Sequence, residues 1–222
     1  MNTTSRRAAV AVAVLVAATA PTAAGSPAVP PAHVPWPPPS THGRFLPYPY
    51  NVNTNDTYPA CGSYIHVSPG DVFDIQYRAL VNDMGETVVE YRGDLTLDVN
   101  RLASEGALVE EAYLDEISVS GTWFEIYDPD GQTITYDRPG PAIVAASGRV
   151  EAEAFAEAGL PETFLYLSGD LKETAYYDPA PIELGQEIPP PITAEITENS
   201  TAYVFDLCKM LDEAPEDPEP EP

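Results

Sequence analysis

Positive charge is scarce in this sequence. Ten lysines and arginines stand against 35 aspartates and glutamates, for a formal net charge of −25 at pH 7. A field of that sign repels phosphate backbones and anionic lipid headgroups, which excludes nucleic acid and the anionic membrane surface as partners. Histidine is scarcer still, at three residues. His33 and His42 fall in a proline-rich stretch, so any Ser-His-Asp or Cys-His arrangement would have to use His66. Cysteine occurs twice, at Cys61 and Cys208, and two thiolates without a neighbouring histidine make a poor zinc site. The apolar run Ala8–Ala20, AAVAVAVLVAATA, is shorter than the roughly 20 residues a membrane helix needs.

That run follows Arg6 and Arg7 and precedes the small residues Thr22 and Ala24, which is the layout of a secretory signal peptide. Residues 1–24 are expected to be removed by cleavage before Gly25, giving a secreted, extracellular protein with no membrane span. Export brings the two cysteines into an oxidising compartment, where an isolated pair is expected to form a disulfide. Closing so long a loop stabilises by up to about 5 kcal/mol on chain-entropy grounds. No cofactor and no metal are expected.

Residues 25–59 are rich in proline, which fixes φ and removes backbone donors, so they read as an extended linker. Trp36, Phe45, Tyr48 and Tyr50 are aromatic handles in it, able to dock on the domain or on a partner. Residues 212–222 alternate acids with prolines and read as a disordered tail. Between them, residues 60–211 form a single domain with enough chain for a substantial core.

Inside that domain the dominant signal is period two. In DVFDIQYRALV, Phe73, Ile75, Tyr77, Ala79 and Val81 share one face while Asp74, Gln76 and Arg78 share the other. After the turn NDMG, VVEYRGDLTLDV repeats the alternation, which predicts a hairpin with one wet face. EISVSGTWFEIYDPDGQTITYDR predicts a second hairpin, turning at Asp128-Pro129-Asp130-Gly131. Further strands are expected at 143–146, 149–155, 163–177 and 192–207, the last broken at Glu198-Asn199-Ser200. Only RLASEGALVEEAYL, residues 101–114, has helical spacing and reads as a short helical insertion. About eight antiparallel strands in a meander must close as a β-barrel or fold over as a β-sandwich to cover their apolar face. The barrel is the expectation, because cysteines on neighbouring first and last strands would clamp the closing seam.

Cys61-Gly62 ahead of the first strand, the D-P-D-G hairpin followed by RPGPAIV, the TFLYLSGDL strand and the closing VFDLCKML resemble a group of secreted actinobacterial β-proteins of unknown function. That group shares a cysteine near each end, a GxFLxxG-like penultimate strand and a D-[LV]-C ending. The resemblance spans residues 60–211 and implies secretion and an all-β fold. It implies no reaction. The helical-looking insertion and the loop IELGQEIPPP depart from the pattern.

No nucleophile, base and orienting group stand out together. With both cysteines bonded there is no thiol nucleophile, and His66 reads either as a strand histidine or as a lone general base. Asp128 and Asp130 open like a calcium loop, yet the twelfth position counted from Asp128 is Pro139 rather than an acid. They stay as a hairpin turn or a weak surface calcium site. Arg78 is expected within cross-strand reach of Glu90, Arg92 or Asp94 on the solvent face. The many aromatics read as core and rim rather than as a carbohydrate platform. The functional expectation is therefore a non-catalytic domain that binds or organises something at the cell surface. The alternatives are a barrel carrying a small apolar ligand, and a small enzyme using His66 or a carboxylate pair.

Overall fold

The computed structural model describes residues 40–48, 56–104, 110–178 and 190–214. Strands β1 (Leu46–Pro47), β2 (Asp56–Ala60), β3 (Ser63–Val81), β4 (Thr87–Leu102), β5 (Glu110–Ser118), β6 (Gly121–Tyr127) and β7 (Thr133–Pro139) come first. They are followed by β8 (Ala142–Ala145), helix α1 (Arg149–Glu157), β9 (Thr163–Ser168), β10 (Asp170–Tyr176), β11 (Thr193–Asn199), β12 (Ala202–Asp206) and helix α2 (Leu207–Glu213). The fold is all-β, and every strand pairing is antiparallel. One sheet runs β1-β3-β4-β6-β7-β10-β11, with β2 also beside β3 and β5 also beside β4. The other is β12-β9-β8.

The β3–β4 hairpin forms on the alternation that predicts it. Tyr77 pairs with Tyr91, Arg78 with Glu90 and Ala79 with Val89, while Asn82 closes the turn by accepting from the Met84 and Glu86 N–H groups. Ile75, Ala79, Val89 and Tyr91 are buried on one face. The register shifts between Pro69 and Phe73, where proline cannot donate to the ladder. Gly93, at φ 140°, lies so close to β3 that a Cβ would stand 2.0 Å from the Asp74 carbonyl oxygen, which only glycine tolerates.

Residues 40–48, placed in the linker by composition, belong to the folded domain. Thr41 exchanges hydrogen bonds with Ala79, the Tyr48 N–H donates to the Ile75 carbonyl, and β1 pairs with β3. Tyr48 is buried, edge-on to Tyr77 and Tyr91 at 6.1 and 5.4 Å. Aromatic side chains outweigh proline's reluctance here, because a two-residue edge strand asks little of proline's missing donor. Trp36, Tyr50, His33 and residues 1–24 lie outside the described residues.

Two secondary-structure expectations are corrected. Residues 101–102 end β4 and 110–114 start β5, so the helical insertion is instead a pair of strands, joined through residues outside the described set. Ladder pairing of Asn100 with Tyr113 and Arg101 with Ala112 outweighs the spacing of the apolar side chains. The opposite happens at 149–155, expected as a strand. Its Glu-Ala alternation also reads as period two, but Ala and Glu are strong helix formers. The run becomes α1, closed by Gly159 at φ 76° with the Leu160 N–H donating to the Phe155 carbonyl.

The expected barrel does not form: among the described residues neither sheet closes on itself. The chain leaves the large sheet after β7, crosses the cis Gly140–Pro141 peptide into β8, and returns only at β10. β12, the strand that would have sealed a barrel, pairs with β9 instead. Opposite sides of β9 feed two cores. Leu165 joins Val89, Tyr91 and Ile134, while Phe164 and Tyr166 join Phe155 of α1 and Leu171 of β10.

The Cys61–Cys208 disulfide is present, with Cα atoms 5.1 Å apart. It does not join two strands. Cys61 sits at φ 58° in the tight turn between β2 and β3, and Cys208 lies in α2. The bond staples a helix to that turn, assisted by buried Leu207 and Leu211 and by Arg101, which donates to the Cys208 carbonyl and pairs with Asp212 at 2.6 Å. Asp206 caps the helix by accepting from the Cys208 and Lys209 N–H groups. Among the described residues no helix is long and apolar enough to cross a membrane.

Candidate functional site

The inner face of the large sheet is apolar except where the alternation brings charge inside. Along β6, Trp123, Glu125 and Tyr127 share the inner face; along β7, Ile134, Tyr136 and Arg138; along β10, Leu171, Glu173 and Ala175. Register aligns these side chains. Tyr136 stands opposite Glu125 on one neighbour and opposite Glu173 on the other, and Arg138 lies opposite Leu171. Two carboxylates and a guanidinium thus meet around one phenol inside the protein.

Each has defined partners. Glu125 Oε2 accepts from the Tyr91 hydroxyl at 3.0 Å and the Tyr127 hydroxyl at 2.7 Å. Arg138 Nη1 donates to Glu173 Oε2 at 2.9 Å, and its guanidinium lies 4.5 Å from the centre of the Tyr136 ring. The Tyr136 and Tyr177 hydroxyls are 3.0 Å apart. Burial pushes the phenols of Tyr91, Tyr127 and Tyr136 well above their ordinary range, and the negative field of Glu125 adds to this. They stay neutral donors. Burial also raises the Glu125 carboxyl, against the lowering effect of its two phenol hydrogen bonds and of Arg138.

Beside this cluster is a cavity of about 240 Å³. Its aromatic wall is Tyr48, Tyr91, Trp123 and Tyr136, with Trp123 stacked on Tyr91 at 5.1 Å and an interplanar angle of 9°. Leu95, Leu97, Val119 and Ile143 supply apolar surface, while Glu125 and Arg138 supply charge. Glu125 lies deep in the molecule yet keeps accessible surface where it lines the cavity. Among the described residues both of its hydrogen bonds end on Oε2, which leaves Oε1 facing no donor there.

Behind Arg138 the network reaches α1. Glu173 is 1% exposed, and among the described residues its Oε1 has no hydrogen-bond partner while all carboxyls are ionised. Glu151 of α1 stands within hydrogen-bonding reach of it and accepts from the Ser147 N–H at 2.5 Å. Burial, then the Glu173 charge, raises the Glu151 carboxyl to about 7. A proton on Glu151 would supply the donor that Glu173 lacks.

No family model, curated protein or solved structure matches this chain. The site therefore has to be read from its own geometry.

Of the residues singled out from the sequence, the aromatic handle Tyr48 lines the cavity, whereas the candidate site residues His66, Asp128 and Asp130 do not. His66 sits on β3 between Thr57 of β2 and Asn100 of β4. Asp128 and Asp130 perform turn chemistry: the Gly131 N–H donates to the Asp128 carbonyl, and the Gln132 N–H to Asp130 Oδ1. Three further carboxylates that approach one another, Asp98, Asp115 and Glu116, are elsewhere and mostly exposed, and desolvation, then the like charges of Asp98 and Glu116, raises the Asp115 carboxyl. Glu116 spends one oxygen on the Asp71 N–H. The polar side of the β3–β4 hairpin carries a wider, open depression lined by Asp74, Gln76, Arg92 and Asp94. Sequence reasoning missed Glu125, Arg138, Glu151 and Glu173. The signal for three of them was the phase of the alternation, which places Glu125, Arg138 and Glu173 in step with Trp123, Ile134 and Leu171.

Proposed function

We propose that this chain is a secreted, non-catalytic β-domain that acts outside the cell by binding a small ligand in its inner cavity. The two sheets are read as an open sandwich, and the resemblance to secreted actinobacterial β-proteins belongs to the same proposal. The observation that carries it is the cavity itself: an aromatic wall, an apolar remainder and two charged groups on rigid strands is the composition of a ligand site. The disulfide and the acidic surface suit an oxidising extracellular setting. Binding is favoured over catalysis because the charged groups are already engaged, Glu125 by two phenols and Arg138 by Glu173. A reaction would need one of them released.

The test is a thermal-shift screen of small molecules against the disulfide-bonded protein and an Ile143→Trp variant, whose larger ring takes up space in the cavity that Ile143 lines. A ligand at a hundred times its Kd stabilises by about 2.7 kcal/mol. We expect such a shift in the native protein and none in the variant. Equal shifts in both would place binding elsewhere, and the reading would fall.

A further inference from the structure

We propose that the cavity takes a small organic cation, an ammonium-bearing molecule caged by Tyr48, Tyr91, Trp123 and Tyr136 with its charge against Glu125. This rests on the reading of the cavity as a ligand site and adds the chemical class. The first argument is charge. Arg138 makes its ion pair with Glu173, which is 1% exposed and faces away into the α1 side of the network. Glu125 feels Arg138 only through space, and its direct partners are two neutral phenols. Among the described residues, Glu125 makes no ion pair, whereas Arg138, the other charged group lining the cavity, does. An anion entering would meet it head-on, and a neutral apolar ligand would strip its water without replacing it.

The second argument is the wall. Ring faces attract cations, most strongly when the contact is desolvated. This site already shows the interaction once, in the Arg138 guanidinium over Tyr136. Leu95, Leu97 and Val119 suit the methyl or methylene groups of an organic ammonium better than the hydration shell of an inorganic ion. A calcium ion would need six to eight oxygen ligands, far more than one carboxylate offers. At about 240 Å³ the space fits a compact head-group. A chain with a net charge of −25 also steers cations toward itself.

Isothermal titration calorimetry on the full, disulfide-bonded chain tests this with probes of similar shape and different charge. Tetramethylammonium is the cation, tert-butanol the neutral comparator and glycine betaine the zwitterion. Tetramethylammonium is expected to bind at least about tenfold more tightly than tert-butanol. Glu125→Gln should abolish the preference while the far-ultraviolet circular dichroism stays that of the native fold. Should that variant fail to fold, the comparison of probes on the native protein still decides. Equal binding of tert-butanol would overturn the cation assignment and leave the ligand site standing. Tighter binding of glycine betaine, lost in Arg138→Gln, would overturn it in favour of a zwitterion. No binding by any probe, with no hit in the thermal-shift screen, would remove both readings.

Discussion

The same three-part motif occurs twice in this molecule, once on each face of the large sheet. On the outer face Arg78 pairs with Glu90 at 2.7 Å, and its guanidinium lies 4.7 Å from the centre of the Phe45 ring, with that of Arg92 at 3.5 Å. On the inner face Arg138 pairs with Glu173 at 2.9 Å over Tyr136. Arg78 and Glu90 keep 33% and 18% of their side-chain surface, whereas Glu173 keeps 1%. Nearly identical geometry therefore sits in two dielectric settings, and the setting decides what the motif does. Outside, solvent screens the pair and leaves it worth little. Inside, desolvation makes each partner depend on the other and raises the neighbouring carboxyls of Glu125 and Glu151.

The sharpest way to separate the two is to remove the inner arginine. Arg138→Met keeps an unbranched stem of the side chain and leaves Glu173 buried without its ion-pair partner, a change that typically costs about 3–5 kcal/mol. Chemical denaturation at pH 7.5 should show a loss of that size. The double variant Arg138→Met, Glu173→Gln should recover most of it, because no charge is then stranded. A double variant as unstable as the single one would mean that Arg138 acts through packing alone, and the contrast with the outer pair would collapse.

The next effect in size is a pH dependence that belongs only to the inner region. Glu151 has its carboxyl raised to about 7 by burial and by Glu173. A carboxyl raised above its unfolded value binds its proton more tightly in the folded state. Its contribution to stability is therefore full below about pH 4.5 and is lost as pH rises through about 7. A shift of that size corresponds to about 3 kcal/mol across the window. Glu151→Gln cannot ionise and can donate to Glu173, so its unfolding midpoint should exceed that of the native chain at pH 8 and lose the advantage at pH 5. Parallel curves for the two proteins across that range would show that the pair shares no proton.

The two regions also differ in how legible they were. The outer hairpin announces itself, because polar residues such as Asp74, Gln76 and Arg78 alternate with apolar ones and the turn NDMG lies between the strands. Reading it needs only neighbours in the chain. The inner cluster comes from three strands and a helix, and Glu151, Glu173 and Arg138 are assembled by register between β7 and β10 and by the packing of α1. A frame count on β6, β7 and β10 exposes a charge on the apolar face, but nothing in the local sequence says which charges meet. The same limit misplaced the cysteines. Their pairing is expected from their number and from the signal-like layout of residues 1–24, while the roles of Cys61 in a turn and Cys208 in a helix depend on where β12 finds its partner. The barrel failed for the same reason, since sheet switching at Gly140–Pro141 is a tertiary event.

The smallest expected effect is on the outer motif, and it completes the comparison. In a double-mutant cycle of Arg78→Ala and Glu90→Ala, the coupling energy should be about 0.2–1 kcal/mol, in the range of exposed pairs. It should shrink in 1 M salt, where the screening length is about 3 Å. The inner pair, whose Glu173 keeps 1% of its side-chain surface and whose Arg138 keeps 22%, should keep most of its coupling in the same salt. Phe45 complicates the outer site in a useful way, because it arrives on the docked segment 40–48 and covers both arginines. Phe45→Ala should therefore lower the Arg78–Glu90 coupling further by admitting water to the pair. A coupling above about 2 kcal/mol that ignores salt would show that the docked segment seals the outer motif as tightly as the fold seals the inner one. Dielectric setting would then no longer distinguish the two faces, and the assignment of function to the inner face would have to rest on its cavity alone.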